Sequence, residues 1–212
     1  MQPQFWLDCW QQEQLGWHLD TVHPFLLKAP ADWLEQSSVL VPLCGKSRDL
    51  HFLAKTAAVV GAELSVIACD DFFRESALAV ATATVDDFVC YRAGNIQLWQ
   101  GDFFQLSADK VATCQGVYDR AALIALPVAM RQAYVDKLRQ LMPHADMLLI
   151  SLVYPQAEKN GPPFSVSAEE VHRLFAFAEV SLVDSRDLTG QGFARRRFET
   201  SALLEMCWRI KW

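Results

Sequence analysis

The sequence predicts an α/β fold in which a mostly parallel sheet carries helices on both faces. From Val39 to Glu63, an apolar β-branched run ends at a glycine-containing turn, residues at helical spacing follow, and a second apolar run comes next. This is the pattern of a βαβ unit. Glu63 lies about 20 positions beyond the turn, at the tip of the second predicted strand, where Rossmann-like folds place the carboxylate that binds a ribose diol. We therefore expect a ligand that contains a nucleoside.

The turn after the first strand lacks the glycines that phosphate binding requires. It contains Gly45-Lys46-Ser47, the end of a P-loop, but Leu40 occupies the position of the glycine needed five residues earlier, and Gly-x-Gly-x-x-Gly is absent. One glycine and one acid suit a nucleoside without phosphates, and S-adenosylmethionine is the commonest such cofactor. The spacing is equally compatible with an alternative in which Gly45 only relieves strain and Glu63 is a solvated strand end.

Length and composition limit the classes to which the protein can belong. The 212 residues, 52% of them hydrophobic, suit one domain over residues 1–212 with an ample core. A net charge of -6 provides no basic field for nucleic acid or an anionic membrane, so we expect a small-molecule partner and a monomer. No apolar stretch reaches the roughly 18 residues needed to cross a bilayer, which predicts a soluble protein.

Cysteine and histidine spacing narrows the class further. The six cysteines form no Cys-x-x-Cys pair, and the N-terminus lacks a basic region followed by an apolar one, which predicts a reduced, cytoplasmic chain. The five histidines occur singly, so we expect no metal site. No Gly-x-Ser-x-Gly elbow supports serine hydrolase chemistry.

Residues 1–36, ahead of the first strand, are predicted to form a helical segment. Residues 3–14 have helical spacing with Trp6 one turn before Trp10, and a second helix is predicted from Pro24 to Leu34. With Trp17, three tryptophans could form a lid over a flat or cationic ligand. Alternatively, they attach the N-terminal helix to the domain, as aromatic stripes usually do.

After the βαβ unit, residues 65–78 are predicted to form a helix with Ser65 as N-cap, and residues 82–87 a polar loop. A hairpin follows over 88–92 and 96–100. Asp102 and Phe103 come at the end of its second strand, where Asp102 could accept from an adenine amino group and Phe103 could pack on the ring. Equally, Asp102 could only cap the turn that follows.

Residues 116–120 are predicted to form a fourth strand, which places Asp119 and Arg120 at its end. Arg120 could act on the ligand, or it could only pair with a buried carboxylate such as Asp119 or Glu63. Pro127 then begins a helix, and residues 147–154 form a buried fifth strand.

The last part of the chain begins with a loop over 154–164, longer than the usual 4 to 6 residues, and loops of this kind often carry function. A capping box at Ser167 begins a further helix. Two final strands, 180–183 and 203–210, are joined by a loop holding Arg195-Arg196-Arg197. These arginines could meet an anionic substrate or form a solvated basic turn.

With these residues collected, the whole chain resembles the thiopurine S-methyltransferase family, particularly its bacterial members. Six ordered motifs carry the resemblance: the tryptophan pair and aromatic-His pair (Trp6, Trp10, Trp17-His18), Pro-Leu-Cys-Gly-Lys-Ser (Pro42–Ser47), Val-Gly-x-Glu-Leu-Ser (Val60–Ser65), Gly-Asp-Phe-Phe (Gly101–Phe104), Tyr-Asp-Arg-Ala-Ala (Tyr118–Ala122) and Gly-Pro-Pro-Phe-Ser-Val (Gly161–Val166).

The resemblance implies a Rossmann-like class I methyltransferase sheet of seven strands, mostly parallel with the last strand antiparallel, and a helical lid over residues 1–36. It implies S-adenosylmethionine as methyl donor. The residues implied to bind it are Trp10, Leu43, Glu63, Asp102, Phe103 and Arg120. The acceptor, a thiopurine or another aromatic or heterocyclic thiol, is expected to pack on Trp17, Pro163 and Phe164.

We expect in-line attack by the acceptor sulfur on the methyl group, with Arg120 as the catalytic residue that favours the thiolate, and no strong base. Two departures from the bacterial pattern, Val153 and Pro155 in place of acidic residues, concern the substrate side. A selenium or tellurium acceptor is an alternative within the same class. A non-catalytic module that binds an adenosyl nucleoside is an alternative from another class.

Overall fold

A computed structural model describes residues 3–191, 194–195 and 198–212, and it confirms the α/β class. Its strands are β1 (Ser38–Pro42), β2 (Ala58–Glu63), β3 (Ala81–Val85), β4 (Phe88–Ala93), β5 (Ile96–Gln100), β6 (Gly116–Arg120), β7 (Asp146–Val153), β8 (Glu179–Asp187) and β9 (Leu204–Lys211). Its α-helices are α1 (Pro3–Gln11), α2 (Pro24–Leu27), α3 (Ala31–Leu34), α4 (Arg48–Leu53), α5 (Val66–Ser76), α6 (Val128–Leu141) and α7 (Ala168–Leu174). None of these helices is long and apolar enough to cross a bilayer.

The strands form one sheet in the order β3-β4-β5-β2-β1-β6-β7-β9-β8. Strands β5, β2, β1, β6 and β7 are parallel, and β9 is antiparallel to both of its neighbours. The antiparallel last strand is therefore confirmed. The expected number of seven strands is wrong, because β3 and β4 extend the sheet to nine in the described part of the chain.

Strand β4 corresponds to the first strand of the predicted hairpin, whereas β3 lies largely within residues 82–87, which were predicted to be a loop. Residues 81–85 pair antiparallel with β4, and all five side chains of β3 are exposed. Residues 81–85 do alternate alanine and threonine before Val85, but none of these side chains is buried, so the segment lacks the strongly hydrophobic face that marks a half-buried strand. Threonine and valine nevertheless suit extended backbone.

The N-terminal helices are shorter than predicted. Helix α1 ends at Gln11 rather than residue 14, and the second predicted helix is divided into α2 and α3. The division falls before Pro30, which is the N-cap of α3. A proline disfavours helical backbone in the residue before it and has no N–H to donate, so the helix cannot continue through this position.

The core lies on both faces of the sheet, because neighbouring residues of each parallel strand point to opposite sides. On one face, Leu40 and Val60 pack with side chains of α6 and α7. On the other, Val39 and Val59 pack with α4, α5 and the α2–α3 segment. The sheet is thus covered on both faces, and the open edge at the carboxyl ends of its parallel strands is left for a ligand.

Gly61 provides a test of how closely β2 is packed. A Cβ at this position would lie 2.4 Å from the Leu98 side chain and 2.7 Å from the Cys44 sulfur. We expect Gly61→Ala to lower the free energy of unfolding by about 1–3 kcal/mol, since an added methyl group must displace core atoms. Chemical denaturation measures this. Ala58→Val, at the exposed end of the same strand, is the control, and equal stability of the two variants would contradict the packing.

Candidate functional site

The turns after β1 and β2 are joined by the carboxylate of Glu63. One oxygen accepts the Gly45 N–H at 2.7 Å and the other accepts the Ser65 N–H at 2.7 Å. Glu63 is only 6% exposed, so the alternative of a solvated strand end is wrong. Burial raises the pKa of this carboxyl above its usual value, and the Ser65 and Gly45 hydrogen bonds act in the opposite direction. Each carboxylate oxygen keeps a further lone pair for a ligand.

A cavity of about 860 Å³, including its open mouth, lies at this edge of the sheet, within the range of small-molecule sites. Its aromatic and apolar lining comprises Trp6, Trp10, Trp17, Leu43, Cys44, Leu64, Ala121, Ile124, Ala125, Pro162 and Pro163. Its remaining lining residues are His18, Gly45, Lys46, Ser47, Glu63 and Arg120. The cavity therefore collects six of the nine residues that the sequence singled out: Trp10, Trp17, Leu43, Glu63, Arg120 and Pro163.

Phe103, Asp102 and Phe164 are not brought to the cavity lining. Phe103 is buried in the core beside Tyr134. Asp102 is exposed and accepts the Phe104 N–H at 2.9 Å, as the N-cap of a short 3₁₀ helix. The Phe164 ring packs beside Gly161. Contacts of these three residues with a cofactor or substrate stay predictions.

Arg120 ends β6 and reaches the cavity while its guanidinium is held from three sides. Its Nε donates to Asp49 Oδ2 at 3.1 Å, Nη2 to the Ser47 hydroxyl at 2.6 Å, and Nη1 to the Trp17 carbonyl at 3.1 Å. A guanidinium has five N–H donors, so the terminal nitrogens keep donors for a ligand. The partner carboxylate is Asp49, and the pairing suggested for Asp119 or Glu63 is wrong.

Asp49 is the residue that sequence reasoning missed. It lies in the first turn of α4, is fully buried, and also accepts from the Tyr118 hydroxyl at 3.1 Å and the His23 backbone N–H at 2.8 Å. An acidic residue in a first helical turn usually needs no partner beyond the helix dipole. The sequence therefore contained no indication that this one is buried.

The tryptophans of the N-terminal segment both pack against the rest of the protein and line the cavity. Trp10 is buried against Leu15 and Ala68, the latter on α5. Its ring would lie 3.3 Å from a Cβ added to Gly45, which has a positive φ of +54°. Trp17 makes edge contacts with Trp6 and Trp10. The segment thus packs against α5, and its tryptophans line the cavity at the same time.

The loop between β8 and β9 also reaches the N-terminal segment. The Arg195 N–H donates to the Gly16 carbonyl at 3.3 Å, and its guanidinium pairs with Asp20. Arg196 and Arg197, named with Arg195 as candidates for an anionic substrate, lie outside the described residues.

Asp119 supports the turn that follows β6. Its carboxylate accepts from the N–H groups of Ala122 and Leu123 and, at 2.7 Å, from the Tyr134 hydroxyl. Within this turn Ala121 has φ +67°, a strained left-handed conformation for a residue with a side chain. Asp119 therefore helps to hold a turn that lines the cavity.

Comparison with known proteins places the whole chain in one sequence family. The family model described as "Thiopurine S-methyltransferase (TPMT)" matches residues 1–211. A thiopurine S-methyltransferase of Pseudomonas fluorescens Pf0-1 is 42% identical over 215 residues, covering 100% of this chain and 99% of the relative. A probable thiopurine S-methyltransferase of Yarrowia lipolytica is 44% identical over 180 residues, covering 82% of this chain and 84% of the relative.

Among solved structures, a SAM-dependent methyltransferase from Anabaena variabilis has a TM-score of 0.70 at 17% identity, covering 99% of this chain and 94% of the other. A Burkholderia thailandensis 1,6-didemethyltoxoflavin-N1-methyltransferase, solved with S-adenosylhomocysteine, has a TM-score of 0.64 at 12% identity, covering 99% and 86%. At these identities the likeness confirms the Rossmann-like class I methyltransferase fold alone.

The raised pKa of Asp119 predicts that the free energy of unfolding depends on pH. Burial raises the pKa of this carboxyl from 3.8 to about 6, against the effect of its hydrogen bonds. Between those values the native state binds more protons than the unfolded state, so the free energy of unfolding should fall as pH rises from about 4 to above 6. The change is up to about 3 kcal/mol, and Asp119→Asn should remove it.

Denaturation of the wild type and the variant between pH 4 and 7 measures the difference. Asp109→Asn is the control, because Asp109 is exposed and its pKa is lowered, chiefly by a hydrogen bond with Ser107. If the free energy of unfolding of Asp119→Asn falls with pH as steeply as that of the wild type, the assignment to Asp119 is contradicted.

Proposed function

Since the chain belongs to the thiopurine S-methyltransferase family, we propose that it transfers a methyl group from S-adenosylmethionine to the sulfur of thiopurines or other aromatic or heterocyclic thiols. The observation that carries this proposal is the composition of the cavity. A buried carboxylate, a flat aromatic lining and one clamped guanidinium meet at the carboxyl edge of a parallel sheet.

The residues around Gly45 fit an adenosyl group that has no phosphates. Glu63 keeps lone pairs for two sugar hydroxyls after accepting the Gly45 and Ser65 N–H groups. At Gly45 a Cβ would lie 3.3 Å from the Trp10 ring, so the glycine lets the ring pack directly on the turn beside the cavity. Leu43 and Trp10 both line the cavity and would contact the methyl donor.

The bound donor supplies a methyl group on a positively charged sulfonium, which a sulfur nucleophile can displace directly. The tryptophans of the N-terminal segment favour a cation over their faces. They also exclude water, since Trp10 is 5% exposed and Trp17 is half-buried. We infer that residues 3–36 act as the lid of the site, because Trp6, Trp10 and Trp17 all line the cavity and Trp10 packs beside Gly45.

Arg120 faces the acceptor. Three of its N–H donors are held by Asp49, Ser47 and Trp17, and the remaining donors of its terminal nitrogens can bind an anionic sulfur. Trp17 and Pro163 provide apolar surfaces against which a flat heterocycle can pack. Orientation and charge stabilisation together are sufficient for a displacement whose nucleophile is already ionised.

The carboxylates near the cavity are committed elsewhere, which favours acceptors that ionise without help. Glu63 accepts two backbone N–H groups, and Asp49 is paired with Arg120. Neither is placed to take a proton from a thiol. Heteroaromatic thiols meet this requirement because they ionise readily, whereas alkyl thiols do not.

We also propose that the protein acts as a monomer in the cytoplasm. Burial raises the thiol pKa of both Cys44 and Cys69, so these side chains suit a reducing compartment in which they stay protonated.

The test is turnover with labelled S-adenosylmethionine and a panel of acceptors. We expect methylation of thiopurines and aryl thiols, and little methylation of an alkyl thiol of similar size. Methylation of selenite or tellurite alone would favour the alternative acceptor, and donor binding without turnover on any acceptor would favour a non-catalytic module.

Glu63→Gln tests the binding of the donor. The amide can still accept one backbone N–H, but it leaves the other without an acceptor and offers a donor to the sugar, so affinity for S-adenosylhomocysteine should fall about 10- to 100-fold. Isothermal titration calorimetry measures the affinity. Glu158→Gln is the matched control, since Glu158 also accepts two hydrogen bonds, from Ser201, but does not line the cavity. Unchanged affinity in Glu63→Gln would contradict the ribose role.

Arg120→Lys tests the acceptor side. The lysine keeps the charge but loses the planar fork of donors, so kcat/KM for a thiopurine should fall about 10- to 100-fold. Affinity for S-adenosylhomocysteine should fall less, because Glu63 is unchanged. Steady-state kinetics and calorimetry separate the two effects, and a wild-type kcat/KM would assign Arg120 to structure alone.

A further inference from the structure

Asp49 is a buried carboxylate that lies beside the ligand site without lining it. Its side chain is 0% exposed, and it is not among the cavity-lining residues. Its Oδ2 atom accepts from Arg120 Nε and from the Tyr118 hydroxyl, both at 3.1 Å. Asp49 therefore cannot contact a substrate, and any influence on the reaction must pass through Arg120.

From this arrangement we propose that Asp49 is a positioning residue, which turns the free N–H groups of Arg120 toward the acceptor sulfur; the inference rests on the proposed function. An arginine side chain has four rotatable bonds, and one carbonyl or hydroxyl contact does not determine its orientation. Asp49 holds the inner Nε, while Ser47 and Trp17 each take one terminal N–H. The donors that remain are those of the terminal nitrogens, and Arg120 lines the cavity.

Asp49 is itself held in place by a second set of contacts. Its Oδ1 accepts the His23 backbone N–H at 2.8 Å. The His23 ring accepts the Phe25 N–H at Nδ1, so the proton is on Nε2, which donates to Glu205 at 3.1 Å. Glu205 is fully buried and also accepts from Arg186 at 2.6 Å. A continuous chain of polar contacts thus extends from β8 and β9 to the guanidinium in the cavity.

A purely structural ion pair is the rival explanation, and it makes different predictions. Loss of a purely structural pair would change the free energy of unfolding by the same amount whatever group occupied the cavity. A positioning residue instead affects the acceptor more than the donor, and it has no effect once Arg120 is absent. The two explanations are therefore separated by a double-mutant cycle.

The experiment combines Asp49→Asn with Arg120→Met. Asp49→Asn alone should lower kcat/KM for a thiopurine about 10- to 100-fold, the range for loss of a charged hydrogen-bond partner. Affinity for S-adenosylhomocysteine, measured by calorimetry, should stay close to that of the wild type. In the Arg120→Met background the same substitution should cost no further activity, and it should raise the melting temperature because it removes an unpaired buried charge.

Asp146→Asn is the matched control, since Asp146 pairs with Arg209 at 2.7 Å at the opposite end of the sheet. It should lower the melting temperature without changing kcat/KM. If Asp49→Asn does not fold, Tyr118→Phe replaces it, because this change removes the hydroxyl that donates to Asp49 Oδ2 and Tyr118 does not line the cavity; the same separation of acceptor kinetics from donor affinity is expected, to a smaller extent.

Three results would overturn the inference. They are an unchanged kcat/KM in Asp49→Asn, an equal loss of donor affinity and acceptor kinetics, and an activity loss in the Arg120→Met background as large as in the wild type. Each leaves the proposed function intact, because the wild type still methylates thiols. A wild type that methylates no thiol contradicts the proposed function itself.

Discussion

The carboxylate of Glu63 is the constraint on which the rest of the site depends. It joins the turn after β1 to the turn after β2 through two backbone hydrogen bonds of 2.7 Å. Because parallel strands end at the same edge, one side chain at the tip of β2 can fix both turns at once. Gly45 is held with its N–H toward Glu63 and its α-carbon toward Trp10. That contact joins the N-terminal segment to the turn that Glu63 fixes, and both line the cavity.

The site divides its charged groups between binding and orientation, and its carboxylates are committed to other partners. Glu63 is committed to backbone amides, Asp49 to Arg120, and Lys46 to Asp71 and Glu75 on α5. An uncommitted carboxylate in such a dry site would be protonated or would repel an anionic acceptor. With these acids paired, the free guanidinium donors of Arg120 can meet a thiolate. This arrangement suits a reaction limited by alignment rather than by proton transfer.

Sequence patterns predicted the helices and strands that have one buried face. The β1–α4–β2 unit, the β4–β5 hairpin, and the N-caps Ser65 and Ser167 all follow from local periodicity and capping chemistry. Strand β3 could not be predicted, because its side chains are exposed on both faces. Asp49 could not be predicted either, since its partners are 26, 69 and 71 residues away in sequence. Residue spacing indicates only local geometry, whereas the burial and pairing of Asp49 depend on residues far away in the sequence.

The buried charges around Arg120 are difficult to explain by stability alone. Replacing a buried ion pair by apolar residues of similar volume is often neutral or stabilising, and the surrounding core of leucines, valines and aromatic residues could accommodate such a change. A guanidinium at the end of β6 nevertheless requires a buried anion beside it, and that anion in turn requires fixed donors. Asp49 and the amide of His23 meet these two requirements in succession. The network is therefore best understood as the consequence of placing one oriented cation at the edge of a largely apolar cavity.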